Sequence, residues 1–275
     1  MAVLPLQTNG LCLRFGGPPR LRASGMVAGC ILLLALVVAV ARAGSAEVLL
    51  AAADDGELQP VISRMTGVHA ERQAAWRFWL GTLAGHSVVV ARTEGDPLNA
   101  VAATTLGIRR YAPRLVVIFG RARAHDPALH PGDVVISRSF AAFDGMESPV
   151  APAAGGSDSL KWSPLPHLLM TPGGRETPAP AVEADPGAMA ALAHLPLARG
   201  RIIAGVLGSA NQVNREADRI AWLREHWGTS CEDGESAHVA LCARLLAVPV
   251  VGWRVIDGAS GEAAALVPPF LEAWK

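Results

Sequence analysis

From Glu47 onward, short continuous apolar runs alternate with stretches whose apolar residues recur at helical spacing. EVLLAAA at 47–53 predicts a buried strand, and ELQPVISRMTG at 57–67 predicts the helix after it, with Pro60 tolerated in the first turn. WRFWLGTLAGHSVVVART at 76–93 predicts a hairpin turning at Ala84-Gly85. A helix follows over PLNAVAATTLGIRRYA, then a strand over RLVVIFG at 114–120 and another in PGDVVISRSF, opened by its Pro-Gly turn. RIIAGVLG at 201–208 and PVVGWRVI at 249–256 predict two more strands. Between these lie a helix at 215–228, with Ile220 and Leu223 on one face, and a helix from Glu235 that is apolar nearly all round and so expected to be buried. Residues 145–186 are rich in Pro, Gly and Ser and carry little periodicity, which predicts a long surface excursion, either a lid or a disordered insert. Strands alternating with helices predict the α/β class. The expected unit is a single three-layer domain over 47–275, with a central mixed, largely parallel sheet flanked by helices.

The segment before Glu47 follows a different pattern. Met26–Ala41 is an uncharged apolar run, preceded by Arg14, Arg20 and Arg22 and followed by the small residues ARAGSA. That order predicts a secretory signal, cleaved near Ala43 or Ala46, and hence an exported protein. The alternative is a short membrane anchor at 26–41, slightly under the usual spanning length. No acid precedes Glu47, so losing residues 1–46 removes four arginines from the 24 Lys+Arg and leaves 20 against 24 Asp+Glu. A mildly acidic balance gives no footprint for nucleic acid, and contact with membrane is expected only through the N-terminal segment. Cys231 and Cys242 are the cysteines beyond that segment. A helix between them would hold them too far apart to bond, so free thiols are expected, and they offer no metal-ligand spacing.

Ligands of open α/β sheets gather beyond the carboxyl ends of strands. After the first strand come Asp54, Asp55 and Glu57; after 88–92 come Thr93 and Glu94; after 114–119 comes GRARAHD. GSANQVN follows the strand at 201, and Arg254 and Asp257 close the strand at 249. Carboxylates and arginine thus converge on one crevice, with Glu235 at a nearby helix start, which suits acid/base work on a polar small molecule. Thr229 and Glu232 have capping-box spacing, so Glu232 is expected to cap that helix.

RIIAGVLGSANQVNREADRI, GTSCEDGESAHVA and VPVVGWRVIDG, with the GD-V-V-S strand near 132–137, together resemble the nucleoside phosphorylase superfamily. The nearest branch is that of the methylthioadenosine/S-adenosylhomocysteine nucleosidases. The resemblance implies a purine nucleosidase acting on adenosine-type nucleosides, with a nucleoside as its small-molecule partner, no cofactor and a homodimeric assembly. Carried onto this sequence, it makes Glu57 the residue that positions or deprotonates water and Glu235 the anchor of the ribose hydroxyls. Asp233 falls on the first acid of the family's E-M-E motif, with Gly234 replacing the methionine and leaving a gap. Arg254 matches an arginine just before the catalytic acid. That acid aligns with Gly258, so Asp257 stands one residue early, and on a strand one step turns a side chain to the other face. Asn211 and Gln212 occupy a place where an aromatic stacks on the base, and Arg121 replaces a small residue, which opens phosphate binding. Chain-end LVPPFLEAWK is shorter than the family's closing helix. These departures keep two alternatives open, a nucleoside-binding member without turnover and a phosphorylase.

Overall fold

The computed structural model describes residues 45–275 apart from 152, 171–173, 175, 180 and 260. The expected signal or anchor at 1–46 lies almost wholly outside the described residues. Among the described residues no helix is long and apolar enough to cross a membrane.

β1 (Val48–Ala52) leads into α1 (Asp55–Ile62), and β2 (Thr66–Gln73), β3 (Trp76–Leu83) and β4 (His86–Arg92) follow as a meander. α2 (Pro97–Tyr111) precedes β5 (Leu115–Ala124) and β6 (Val134–Ala142). The excursion carries β7 (Met146–Glu147), β8 (Ser163–Pro164), β9 (His167–Met170), β10 (Glu176–Ala179) and β11 (Val182–Glu183), then α3 (Pro186–Ala193). β12 (Ile202–Ser209), α4 (Ala217–Trp227), β13 (Cys231–Asp233), α5 (Ser236–Leu245), β14 (Val250–Ile256) and α6 (Val267–Ala273) complete the chain.

The main sheet is mixed and runs β11-β6-β12-β13-β5-β1-β4-β3-β2. β14 pairs parallel with β5 and antiparallel with β6, so β5, β14, β6, β12 and β13 close into a ring from which the other strands extend. Strand alternation builds the layers. In β1, Leu49 and Ala51 join the core under α2 and α5, whereas Val48, Leu50 and Ala52 join the core under α1, α3 and α6. Each buried valine or leucine contributes about 1.5–3 kcal/mol, and each alanine methyl about 0.8 kcal/mol. β6 changes its alternation midway. Val135 belongs to the α2/α5 core, yet Phe140 and Ala142 belong to it as well. The cause is a bulge: Gly205 pairs with Ser137 and Val206 with Ser139, so Arg138 is an extra residue that shifts the parity of everything after it. Its freed carbonyl accepts from Ala184 N–H at 3.0 Å.

Several boundaries differ from the sequence expectation. α1 begins at Asp55, because Asp54 Oδ1 caps Glu57 N–H, so Pro60 falls inside the helix rather than in its first turn. The residues read as its last turn, Thr66 and Gly67, start strand β2 instead. The hairpin at Ala84-Gly85 forms as expected, with φ of 51° and 85° at the two turn residues. β5 continues through Gly120 to Ala124, so Arg121 and Arg123 stand on a strand and not in a loop. Among its described residues the 145–186 excursion forms short strand pairs, and none of them lines the main cavity. α3 was missed, although Asp185 capping Ala188 N–H and Pro186 at the first position are a start signal. Cys231 and Cys242 are free and buried, as expected, and burial pushes the Cys231 thiol well above its ordinary range.

Candidate active site

A cavity of about 630 Å³ opens beyond the ends of β1, β5, β12, β13 and β14. Glu57, Asp257, Glu235, Asp233, Arg254, Asn211 and Arg121, drawn from these separate stretches, all line it.

Arg254, on β14, is fully buried and forms the hub. Its Nε donates to Ser236 Oγ at 2.8 Å and lies 3.1 Å from Asp233 Oδ2, while an Nη donates to Ser236 Oγ at 2.7 Å and Glu235 Oε1 at 3.2 Å. Burial alone would lower the guanidinium pKa, but Asp233, Glu235 and Glu57 together raise it. Three carboxylates thus share one buried cation. Glu235 carries the cost: burial, joined by Asp233 and Glu57, raises its carboxyl to about 7 despite Arg254. Its Oε2 sits against Thr93 Oγ1, which also lies 3.0 Å from the Ala52 carbonyl.

Glu57 is buried at the first turn of α1. Ala53 N–H donates to its Oε2 at 3.1 Å, and Arg121 N–H to its Oε1 at 3.0 Å, so both oxygens are held and Oε2 keeps a lone pair free. This approach needs Gly120: a Cβ there would stand 2.8 Å from both Glu57 oxygens and closer still to Arg254. The Arg121 guanidinium is itself engaged by Glu57 Oε1 at 3.4 Å and Asp54 Oδ2 at 3.3 Å.

The start of α5 separates the three acids of CEDGE. Asp233 Oδ1 accepts from Glu235 N–H and Ser236 N–H, both at 2.7 Å, and from Ser209 Oγ, which in turn accepts from Ala237 N–H. Asp233 is therefore the cap. Glu232 is not: it accepts from Asn214 N–H and Nδ2–H and lies 3.1 Å from His125 Nε2. Its position on β13 turns it towards the 211–214 loop and away from the helix start. Those bonds, set against the opposing effect of burial, hold the Glu232 carboxyl below its ordinary range.

Gly234 leaves no gap. The turn after β4 fills the space, and a Cβ at 234 would stand 2.1 Å from the Gly95 carbonyl oxygen. Asp257 leaves β14 in the left-handed region, φ 44°, with its N–H donating to Ala122 O at 3.0 Å. This reversal returns it to the cavity that strict strand alternation would deny it. At Gly258 a Cβ would stand 2.6 Å from Val255 Cγ1, so an acid there does not fit. No aromatic ring lines the cavity among the described residues; Val213 is 59% exposed at its rim. Sequence reading missed Thr93 and Ser236 as partners of the carboxylates. Thr93 follows a strand directly, which was the available signal; Ser236 gave none beyond a helix start.

The phosphorylase superfamily model matches residues 47–273. A methylthioadenosine/S-adenosylhomocysteine nucleosidase of Shewanella oneidensis is 31% identical over 210 residues, covering 75% of this chain and 81% of that protein. The fold matches the nucleosidase of Neisseria meningitidis solved with methylthio-immucillin-A, at a TM-score of 0.67 and 21% identity, over 82% of this chain and 98% of that one. It also matches the Colwellia psychrerythraea nucleosidase solved with adenine, at 0.68 and 21%, over 84% and 96%. With this fold, and with a matched region that reaches from β1 to α6, the chain belongs to the phosphorylase superfamily, where its relatives include methylthioadenosine/S-adenosylhomocysteine nucleosidases.

Proposed function

We propose that this protein hydrolyses the N-glycosidic bond of an adenosine-type nucleoside of the methylthioadenosine/S-adenosylhomocysteine class. The observation that carries the reading is the meeting of Glu57, Glu235, Arg254 and Asp257 around one cavity. A water bound by Glu57 attacks the anomeric carbon, the carbon–nitrogen bond breaks, and its electron pair passes to the base. Glu57, whose oxygens are oriented by two backbone N–H groups, takes the water's proton. Asp257 donates a proton to the departing purine, and Glu235 holds the ribose diol as an ionised carboxylate. Arg254 and Asp233 fix Glu235 on the α5 start, while Asn211 faces the base. Arg121 supports water over phosphate as nucleophile, because its guanidinium is already engaged by Asp54 and Glu57.

The absence of a lining aromatic among the described residues favours a second reading, a nucleoside binder without turnover. Incubation with methylthioadenosine or S-adenosylhomocysteine separates the two. Free adenine supports the enzyme; thermal stabilisation without adenine selects the binder; neither response overturns both. Export through the N-terminal segment and assembly as a homodimer belong to the same proposal. The first rests on the order of charge and apolarity before Glu47, the second on resemblance. The mass of the mature chain and sedimentation test them.

A further inference from the structure

Asp144, His167 and His238 come from three separate elements and meet outside the cavity described above. Asp144 follows β6, His167 opens β9, and His238 sits in the first turn of α5, three residues beyond Glu235. Each Asp144 oxygen engages one imidazole: Oδ1 lies 2.9 Å from His167 Nε2, and Oδ2 lies 2.9 Å from His238 Nε2. The two rings stand nearly perpendicular, at 78°, so their Nε2 edges converge on the carboxylate and do not stack. All three donor atoms lie within 4.8 Å of one another. His238 is buried, whereas the Asp144 and His167 side chains keep an open edge of 30% and 38%.

Two imidazoles and one carboxylate are a donor set for borderline divalent ions, Zn²⁺ foremost, with water completing the shell. Donor atoms at about 2.0–2.1 Å from such an ion stand about 3.3 Å apart in a tetrahedron. The three donor atoms already lie within 4.8 Å of one another, so modest side-chain movement brings them to that spacing. The open edge supplies a path of entry.

We propose that Asp144, His167 and His238 bind a divalent transition-metal ion of the Zn²⁺ class, which fastens the excursion to the first turn of α5. Without the ion, each ring presents Nε2–H to the carboxylate. Binding places the proton of each neutral ring on Nδ1 and gives the Nε2 lone pair to the metal. His238 Nδ1 is buried with no hydrogen-bond partner, so its N–H lacks the acceptor that metal-ligating histidines generally have. Loss of such an outer partner costs about 10–100-fold in affinity. The site is therefore exchangeable, with a Kd on the order of micromolar.

The test uses tag-free protein, stripped with chelator and titrated calorimetrically with Zn²⁺ alone, then with Co²⁺ while the visible absorption is followed. One ion per chain, with ligand-field bands for Co²⁺, is the expected result. His167→Ala and Asp144→Asn lower the affinity by about tenfold or more and abolish the bands. His194→Ala, at the exposed C-cap of α3, binds as the unaltered protein does. Failure of the unaltered protein to take up Zn²⁺ saturably below about 100 µM overturns the proposal, whatever the variants do. Equal affinity in the unaltered protein, His167→Ala and Asp144→Asn overturns it too.

Discussion

Thr93 places its hydroxyl between two oxygens, the Ala52 carbonyl at 3.0 Å and Oε2 of Glu235. One hydroxyl proton serves one of them. When Glu235 is protonated, its own O–H donates to Thr93, which then donates to Ala52, and every oxygen is satisfied. When Glu235 is ionised, Thr93 must choose.

This arrangement fixes a pH response. Burial holds the Glu235 carboxyl at about 7 in the folded protein, above the usual carboxylate range, so the folded state binds the proton more tightly than the unfolded chain. The contribution of this group to stability is therefore greatest below the unfolded pKa and is lost as pH rises to about 7. Substrate needs the opposite form, since the diol donates to a carboxylate. The ratio kcat/KM should rise with its midpoint at about pH 7, and unfolding free energy should fall from the ordinary carboxylate range up to about pH 7 and level off above it. Glu235→Gln should flatten the stability slope and weaken KM by about 10–100-fold, from the loss of charged hydrogen bonds. Unchanged kinetics in that variant would remove Glu235 from the site.

Asp257 is the sole exposed acid at the end of β14, and its role is separable from binding. Asp257→Asn should lower kcat by about 10²–10⁴-fold with little change in KM, as for loss of a general acid. Moving the acid one residue on, by Asp257→Ala with Gly258→Asp, should not rescue turnover, because a Cβ at 258 meets Val255 at 2.6 Å. Rescue would show that the loop relaxes and that 257 holds no special position.

Arg254 compensates three carboxylates from the interior. Arg254→Leu should destabilise the fold by about 3–5 kcal/mol, the cost of leaving buried charge unpaired. Lowering the pH should restore part of that loss as Glu235 takes a proton. Denaturant titrations at two pH values would show it; a pH-independent loss would assign the damage to packing alone.

Gly234 faces the Gly95 carbonyl with no room for a side chain. Gly234→Ala should cost about 1–3 kcal/mol through forced backbone movement. A fully stable alanine variant, measured by thermal unfolding, would restore the view that this position is a vacancy.

The strands were legible because their apolar runs are continuous, and the crevice followed from the polar residues just beyond them. Ring closure through β14 was not legible, because pairing with both β5 and β6 is set by sheet curvature and leaves no local mark. β2 was missed since all but two of its residues are exposed and its sequence, TGVHAERQ, carries no apolar alternation. The acids of CEDGE were misassigned at Glu232 because capping-box spacing was read without the strand that precedes the helix. The direction of Asp257 was not legible, because strand parity does not govern a residue that leaves the strand with a φ of 44°.

The extra residue at Arg138 acts as a frameshift within a single strand. Before it, one parity of β6 serves the α2/α5 core; after it, the other parity does. Deleting Arg138 would leave composition and length almost untouched, yet it would send Phe140 and Ala142 to the wrong core and swing Asp144 away from both of its histidines. The strand's meaning depends on a count, and a single unpaired residue keeps that count.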